Sequence, residues 1–283
     1  IKDSWLDRVN EVVGYCVNND MYAIVNIHWD GGWLENNVTP EKQEANNKKQ
    51  HALWTQIANR LGHYDEHLLF AGTNEPNVDD KPANMAVLKT YLQTFVDAVR
   101  ATGGRNAIRN LVVQGPNTDI AMTEKLFGNM PIDLIENRLM FEIHYYTPWT
   151  FCGMEKDESW GRMAFYWGDY KVPGSDRNAN PGTEAEMKGF FARMKRQFVD
   201  KGIPVILGEY GAITIRTGIE NQEAHNLSRR LYDRTATREA KNHGMVPFYW
   251  ETGRVINRNT GEIKDSYAFE GIIQGAAEGN YPF

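Results

Sequence analysis

The sequence alternates between short apolar runs and longer segments with helical spacing of apolar residues. The apolar runs are YAIVNIHW, HLLFAGTNE, NLVVQGP, LMFEIHYY, IPVILGEYG and MVPFYWETG. Runs of this length predict buried strands, and the segments between them predict amphipathic helices. In residues 83–102, for example, four apolar side chains share one helical face: Leu88, Leu92, Phe95 and Val99. Strands that alternate with helices form parallel sheets, so the sequence predicts an α/β fold.

The number of strand–helix units favours a closed barrel over an open sheet. Six units follow one another, and the sequence lacks the glycine-rich phosphate loop of dinucleotide-binding open sheets. A (β/α)8 barrel needs eight strands, and this chain opens on a helix without a strand before it. We therefore expect a TIM barrel that lacks its first two strand–helix units, with residues 1–283 forming a single, N-terminally incomplete domain. Two short polar segments, AITIRT and RVINRNTGEIK, are predicted to be loops.

Charge and hydropathy exclude several classes of partner. The net charge of −6 is spread along the chain, and no block of Lys or Arg marks a nucleic-acid-binding face. No stretch approaches the roughly 18 apolar residues that a membrane-spanning helix needs. Two cysteines, Cys16 and Cys152, cannot build a disulfide framework. We therefore expect no nucleic-acid partner and no membrane span.

Polar and aromatic side chains collect at the carboxyl ends of the predicted strands. In chain order these are His28 and Trp29, Asn74 and Glu75, Gln114, His144 and Tyr146, Glu209, and Trp250 and Glu251. The carboxyl ends of barrel strands converge on one mouth, where the active site of this fold lies. Glu75 and Glu209 would face each other across it. Two opposed carboxylates are what glycoside hydrolysis requires, because one protonates the leaving oxygen and the other attacks the anomeric carbon or activates water.

The strand-end motifs resemble those of a known enzyme family. GTNEPN, IHYY, LGEYG and FYW occur in this order on successive strand ends, and the combination resembles glycoside hydrolase family 5, the cellulase family of retaining (β/α)8 enzymes. IHWDGGW and HYYTPWTFCGMEKDESWG are most similar to its subfamily 4, which contains endoglucanases and xyloglucanases. The resemblance covers the whole chain as six of eight units. It implies a retaining endo-β-1,4-glucanase that uses neither a metal nor another cofactor.

The resemblance also implies roles for individual residues. Glu75 corresponds to the general acid/base and Glu209 to the nucleophile. Asn74 would hydrogen-bond the 2-hydroxyl of the sugar at the cleavage point. His144 would line that subsite, and Tyr146 would orient Glu209.

Two more strand ends match the family, and two features depart from it. His28 corresponds to the family's histidine after the third barrel strand, and Trp250 to its stacking tryptophan after the eighth. Many relatives carry a second histidine where this chain has Trp29, which we assign to substrate binding. The family's arginine after the second strand has no counterpart in this chain. We expect its loss to weaken Glu209 as a nucleophile.

A long aromatic segment predicts one wall of a polysaccharide groove. Loops of more than about 15 residues are uncommon and usually functional or disordered, and sugar rings present apolar faces that stack on indole. We expect about half of the aromatic side chains in residues 147–183 to line the groove and the others to form a small core. Trp33 is a candidate for the opposite wall. The seven aromatic residues are Trp149, Phe151, Trp160, Phe165, Tyr166, Trp167 and Tyr170.

Other interpretations of these residues stay open at this stage. His28 and His144 are also compatible with core histidines or zinc ligands, although zinc needs a further ligand and the last strand ends in Trp250. A glucan-binding chain without strong catalysis would keep the same aromatic groove. The sequence does not rank cellulose, β-glucan, xyloglucan and β-mannan.

The substrate determines the expected partners and location. We expect a β-1,4-linked polysaccharide as the partner. Polymeric glucans are met outside the cytoplasm, so we expect a secreted or cell-surface protein, although no signal peptide occurs in this chain. Unpaired edges of an incomplete barrel need cover, which favours self-association or an N-terminal segment over those edges.

Overall fold

Strands and helices alternate along the chain. The computed structural model describes residues 1–213 and 217–283, and the chain forms two compact units, Ile1–Glu142 and Ile143–Phe283. The described residues contain six strands, and the strand pairings within each unit are parallel. The α/β class predicted from the sequence is therefore confirmed.

The first unit places its strands side by side in chain order, each paired in parallel with the next. Its strands are β1 (Ala23–Asn26), β2 (Leu68–Ala71), β3 (Leu111–Gln114) and β4 (Leu139–Tyr145), of which β4 runs on into the second unit. Its α-helices are α1 (Asp3–Val17), α2 (Gln43–Leu61), α3 (Pro82–Ala101) and α4 (Ile120–Leu126). Short 3-10 turns occupy Asp30–Gly32, Pro40–Lys42, Gly104–Ala107 and Pro116–Thr118.

The core of the first unit lies between β2 and helices α2 and α3. All four residues of β2 are buried, as expected for a central parallel strand. The Trp54 ring lies 4.6 Å from the Phe95 ring and 5.5 Å from the Phe70 ring, measured between centroids. Gly72 follows β2 where a Cβ atom would come within 2.5 Å of the Phe95 side chain. Only glycine fits there, and the strand end is thereby fixed against α3.

The second unit contains two strands that begin within it, and they pair in parallel. These are β5 (Val205–Tyr210) and β6 (Met245–Pro247). Its α-helices are α5 (Trp149–Cys152), α6 (Glu184–Gln197), α7 (Gln222–Asn242) and α8 (Ser266–Glu278), with 3-10 turns at Gly168–Tyr170 and Val199–Lys201. Helix α6 begins with a capping arrangement, in which the Glu186 N–H donates to Thr183 Oγ1 while the Glu186 carboxylate accepts from the Gly182 N–H.

Helix α8 is the one long helix for which the strand–helix pattern gave no prediction. It packs against α7 through two glycines, since a Cβ atom at Gly271 or Gly275 would lie 2.5 or 2.3 Å from a carbonyl oxygen of α7. The α7 face carries many buried polar residues, such as Asp233 and Thr237. The residues that α8 itself buries are Ala268, Gly271 and Gly275, and such small residues do not produce the spacing of large apolar side chains from which helices are recognised.

The aromatic segment 147–183 combines a core with exposed rings. Phe151, Phe165, Tyr166 and Trp167 are buried, whereas Trp149, Trp160 and Tyr170 are exposed. The Trp167 ring packs edge-on against Tyr232 of α7, with 5.2 Å between centroids, and its backbone N–H donates to Ser228 Oγ at 2.9 Å. The segment is therefore anchored to α7.

The predicted polar loops have different outcomes. RVINRNTGEIK contains an antiparallel bridge between Ile256 and Ile263, as its hairpin-like pattern suggests. In AITIRT, residues 214–216 lie outside the described part of the chain. Within the described ranges, no helix has both the length and the apolarity that crossing a bilayer would require.

Candidate active site

The first unit places Asn74 and Glu75 directly beyond β2. Glu75 has φ +42°, in the left-handed region that non-glycine residues rarely adopt and that costs on the order of 1–3 kcal/mol. Its backbone N–H donates to Gln114 Oε1 at 3.0 Å. The Glu75 side chain is exposed. The carboxylate predicted as acid/base is therefore open to solvent and carried by a strained backbone position.

The amide of Asn74 is buried next to this residue. Its side chain is only 5% exposed, and among the described residues Oδ1 has no hydrogen-bond partner. A buried polar atom without a partner is costly unless a ligand satisfies it. This environment agrees with the role predicted for Asn74, binding a sugar hydroxyl.

The loop after β1 carries His28 and Trp29 on an unusual backbone. Trp29 has φ +54°, and its side chain is 52% exposed. Its backbone N–H donates to Glu35 Oε1 at 3.0 Å. His28 Nδ1 lies 3.3 Å from Asn26 Nδ2, and His28 is also exposed. Both residues that the sequence predicts as substrate contacts are thus accessible.

Glu35 is a buried carboxyl group that the sequence did not single out. It is 2% exposed, and this burial is the main reason that its pKa is raised above the usual value. The backbone N–H groups of Glu35, Trp29 and Leu34 lower the pKa in part, and the nearby Asp30 raises it. Its backbone carbonyl accepts from the Asn77 N–H at 2.9 Å. Glu35 therefore links the loop after β1 to the loop after β2.

Trp33 is more enclosed than we expected for a residue of the groove wall. The Lys49 ammonium of α2 lies 4.0 Å from the centroid of its ring, a cation–π arrangement. The Trp33 ring is partly buried, and Nε1 has no hydrogen-bond partner among the described residues. Its assignment to substrate binding stays a prediction.

The second unit brings Glu209, Tyr146 and His144 together. The Tyr146 hydroxyl donates to Glu209 Oε2 at 3.0 Å, and His144 Nδ1 lies 3.6 Å from the same oxygen. Glu209 is 8% exposed and His144 is 6% exposed. A hydroxyl donor on a carboxylate oxygen stabilises the ionised form. The geometry therefore fits the predicted orienting role of Tyr146.

Two exposed tryptophans belong to the same unit. Trp149 is 52% exposed and Trp250 is 45% exposed. The Trp149 ring meets Tyr146 edge-on, with 6.0 Å between centroids. The Trp250 N–H donates to the Tyr210 carbonyl, next to Glu209, at 3.1 Å. Both indoles are available to an apolar sugar face.

Glu251 has a structural role at its strand end. Its carboxylate accepts from the backbone N–H groups of Gly253 and Val255 at 2.7 and 3.0 Å. Burial alone would raise the pKa of Glu251, but these donors and Arg258 hold it below its usual value. Glu251 therefore shapes the loop after β6.

Metal binding was tested as an alternative for the histidines. A hydrolytic zinc site needs three protein ligands. Within the second unit, His144 Nδ1 and Glu209 Oε2 lie 3.6 Å apart, so this pair offers two possible ligand atoms. The absence of a metal from the mechanism stays a prediction.

Comparisons with known proteins identify the family of this chain. The family model for cellulase, glycosyl hydrolase family 5, matches residues 1–254. The xyloglucan-specific endo-β-1,4-glucanase BoGH5A of Bacteroides ovatus is 38% identical over 97% of this chain, which covers 55% of that protein. This chain thus spans about half the length of that relative.

Two solved structures resemble the chain over nearly its whole length. XEG5B, a GH5 xyloglucan-specific β-1,4-glucanase from a ruminal metagenomic library, in complex with XXLG, gives a TM-score of 0.86 at 35% identity, covering 100% of this chain and 80% of XEG5B. A GH5-4 broad-specificity endoglucanase from Bacteroides salanitronis gives 0.84 at 34% identity, covering 97% of this chain and 76% of that one.

The α/β fold and the match to the family model together define the class of this chain. The chain belongs to the cellulase family, glycosyl hydrolase family 5, as the strand-end motifs predicted.

Proposed function

We propose that the chain is a retaining, endo-acting β-1,4-glucan hydrolase with Glu209 as nucleophile and Glu75 as general acid/base. The observation that carries this proposal is the hydrogen bond from the Tyr146 hydroxyl to Glu209 Oε2. It fixes one carboxylate oxygen at the carboxyl end of β5 and favours its ionised form. An ionised, oriented carboxylate is what a glycosidase nucleophile requires.

The proposed reaction has two steps. Glu209 attacks the anomeric carbon, the bond from that carbon to the glycosidic oxygen breaks, and Glu75 gives its proton to the leaving oxygen. Water then attacks the anomeric carbon of the glycosyl–enzyme ester while Glu75 takes a proton from that water, and the bond from that carbon to the Glu209 oxygen breaks, which releases Glu209 as a carboxylate. This mechanism requires carboxyl groups roughly 5 to 5.5 Å apart. It needs no metal, and the six strand–helix units would act as one catalytic domain of the (β/α)8 type.

Substrate contacts are proposed for the remaining strand-end residues. Asn74 and His144 would bind the sugar at the cleavage point, and His28 would extend the contact. Exposed indoles would stack on neighbouring sugars; these are Trp29, Trp149 and Trp250, with Trp33 as a further contact.

The activities of these relatives favour β-1,4-glucans, with xyloglucan among them, over mannan. BoGH5A and XEG5B are described as xyloglucan-specific, and the Bacteroides salanitronis enzyme as of broad specificity. We propose β-1,4-glucans, with xyloglucan among them, as the substrate class. Because such polymers are extracellular, we propose a secreted or cell-surface location.

Reducing-sugar release tests the proposal. The chain, Glu209→Gln and Glu136→Gln are compared on xyloglucan, carboxymethyl cellulose and galactomannan. Glu136 is an exposed glutamate that precedes β4, so its variant makes the same chemical change away from the strand ends. We expect release by the chain and by Glu136→Gln, and almost none by Glu209→Gln.

The same experiment separates hydrolysis from binding. Affinity electrophoresis in gels that contain each polysaccharide reports binding without turnover. Retained binding with no release by the unsubstituted chain would contradict the hydrolase proposal. It would favour the glucan-binding interpretation, in which the exposed tryptophans hold the polymer without cleavage.

A further inference from the structure

The end of β3 holds the backbone of Glu75. Gln114 is the last residue of β3 and is fully buried, with 0% of its surface exposed. Its Oε1 atom accepts from the Glu75 N–H at 3.0 Å and from Thr73 Oγ1 at 3.2 Å. One amide oxygen therefore accepts hydrogen bonds from Thr73 and Glu75, the residues on either side of Asn74.

The turn after β3 adds two further bonds to the same loop. The Asn117 N–H donates to the Pro76 carbonyl at 2.9 Å, and Asn117 Oδ1 accepts from the Val78 N–H at 3.2 Å. Gly115 lies between Gln114 and Asn117, where a Cβ atom would come within 2.4 Å of Thr123 Oγ1. The turn that presents Gln114 and Asn117 is thus itself fixed by packing.

Glu75 needs such support because its local sequence opposes its conformation. A positive φ is uncommon for a residue with a side chain, and Glu75 has φ +42°. A residue before a proline normally adopts extended backbone, and Pro76 follows Glu75. Without the bonds from β3, the backbone would relax toward extended geometry and redirect the carboxyl group.

We propose that Gln114 is a positioning residue for Glu75, with Asn117 in a supporting role. Gln114 fixes the direction of the Glu75 carboxyl group by holding its backbone N–H. This inference rests on the proposed function, in which Glu75 protonates the leaving group. Misplacing a general acid weakens proton transfer while leaving nucleophilic attack intact.

Leaving-group dependence reports that defect. The phenolate of phenyl cellobioside needs a proton on its oxygen in order to leave, whereas the 2,4-dinitrophenolate of 2,4-dinitrophenyl cellobioside leaves without one. The ratio kcat/KM reports the first step for both substrates. For Gln114→Met, which keeps the size but removes the acceptor, we expect at least about a tenfold loss on the phenyl substrate and less than about a threefold loss on the dinitrophenyl substrate.

Two variants separate positioning from general stability. Gln114→Glu keeps an acceptor oxygen for the Glu75 N–H, so we expect it to recover most of the loss on the phenyl substrate. Gln50→Met is the matched control, because Gln50 is also fully buried and its Nε2 donates to the Gly72 carbonyl at 2.7 Å. We expect Gln50→Met to change both substrates by the same factor.

Amide hydrogen exchange at Glu75 tests the contact without any activity. We expect the N–H to be protected in the unsubstituted chain and in Gln50→Met, and to exchange at least about tenfold faster in Gln114→Met. Equal losses on both aryl substrates, or an unprotected N–H in the unsubstituted chain, would overturn the inference. If the unsubstituted chain cleaves neither substrate, the proposed function fails, and hydrogen exchange alone decides whether Gln114 holds Glu75.

Discussion

Glu75 follows the buried strand β2 and Glu209 lies near the end of the buried strand β5, but the protein holds them in opposite ways. At Glu209 the side chain is fixed, because it is 8% exposed and its Oε2 accepts from Tyr146. At Glu75 the backbone is fixed through Gln114, while the side chain is exposed. One carboxylate is anchored by its functional group and the other by its main chain.

This difference fits two chemical tasks. A nucleophile must keep one oxygen aimed at the anomeric carbon, so a donor on its carboxylate is useful. A group that gives a proton to an oxygen and later takes one from water must keep its carboxyl accessible. Anchoring Glu75 by its main chain would set the direction of its carboxyl group. The difference therefore predicts which glutamate has which role, and each role can be tested.

The largest expected effect comes from removing the Glu209 carboxylate. Glu209→Gly should lower kcat on an aryl cellobioside by about 10⁴-fold or more, because the covalent intermediate can no longer form. Added azide should restore turnover by attacking the anomeric carbon directly. The product, identified by NMR, should be the α-glycosyl azide, with inverted configuration. A β-azide would reverse the roles assigned to the two glutamates.

Removing the Glu75 carboxyl should give a smaller and substrate-dependent effect. Glu75→Ala should lower kcat/KM by about 10² to 10⁴-fold on phenyl cellobioside, since general acid catalysis contributes that much. On the dinitrophenyl substrate the loss should be slight, and azide should yield the β-glycosyl azide. Equal losses on the two substrates would contradict an acid role for Glu75.

The strand ends could be predicted from the sequence because polar residues interrupt or end apolar runs there. Asn74 and Glu75 end an apolar run, and Glu209 sits in another, so a single pass along the sequence locates them. Both strands are confirmed, with β2 ending at Ala71 and β5 including Glu209. The family motifs depend on the same positions, so the family assignment followed from the sequence as well.

The supports of these residues could not be predicted, because they depend on distant parts of the chain. The bond from Glu75 to Gln114 spans 39 residues and depends on the register in which Phe70 pairs with Leu111. Glu35 lies beyond the strand-end motif in the loop after β1, and only the fold reveals that it is buried. Sequence patterns identify which residues carry chemistry, but the contacts that orient them require the tertiary structure.

Removing the Tyr146 hydroxyl should have a moderate effect. Tyr146→Phe deletes the donor to Glu209 Oε2, and a hydrogen bond to a charged group contributes about 1.5–3 kcal/mol. We expect kcat to fall by roughly 10- to 100-fold with little change in the melting temperature. Tyr145→Phe is the matched control, because the neighbouring ring packs on Phe191 with 5.0 Å between centroids. A Tyr146→Phe enzyme with normal kcat would show that Glu209 needs no anchor on its carboxylate.

The smallest expected effect concerns Trp149, whose ring touches Tyr146 on one side and is 52% exposed. If this exposed surface stacks on a sugar, Trp149→Ala should raise KM for xyloglucan by roughly fivefold, since aromatic contacts contribute about 1 kcal/mol. Tyr146 would keep its bond to Glu209, so kcat should change less than it does in Tyr146→Phe.

Trp5→Ala is the control for Trp149→Ala, because Trp5 is an exposed tryptophan of α1, outside the aromatic segment, with 62% of its surface accessible. We expect its KM and kcat to be unchanged. A fall in kcat without a rise in KM for Trp149→Ala would mean that the indole serves Glu209 through Tyr146. Trp149 would then help Tyr146 to orient Glu209. Other exposed aromatic rings would have to form the groove wall.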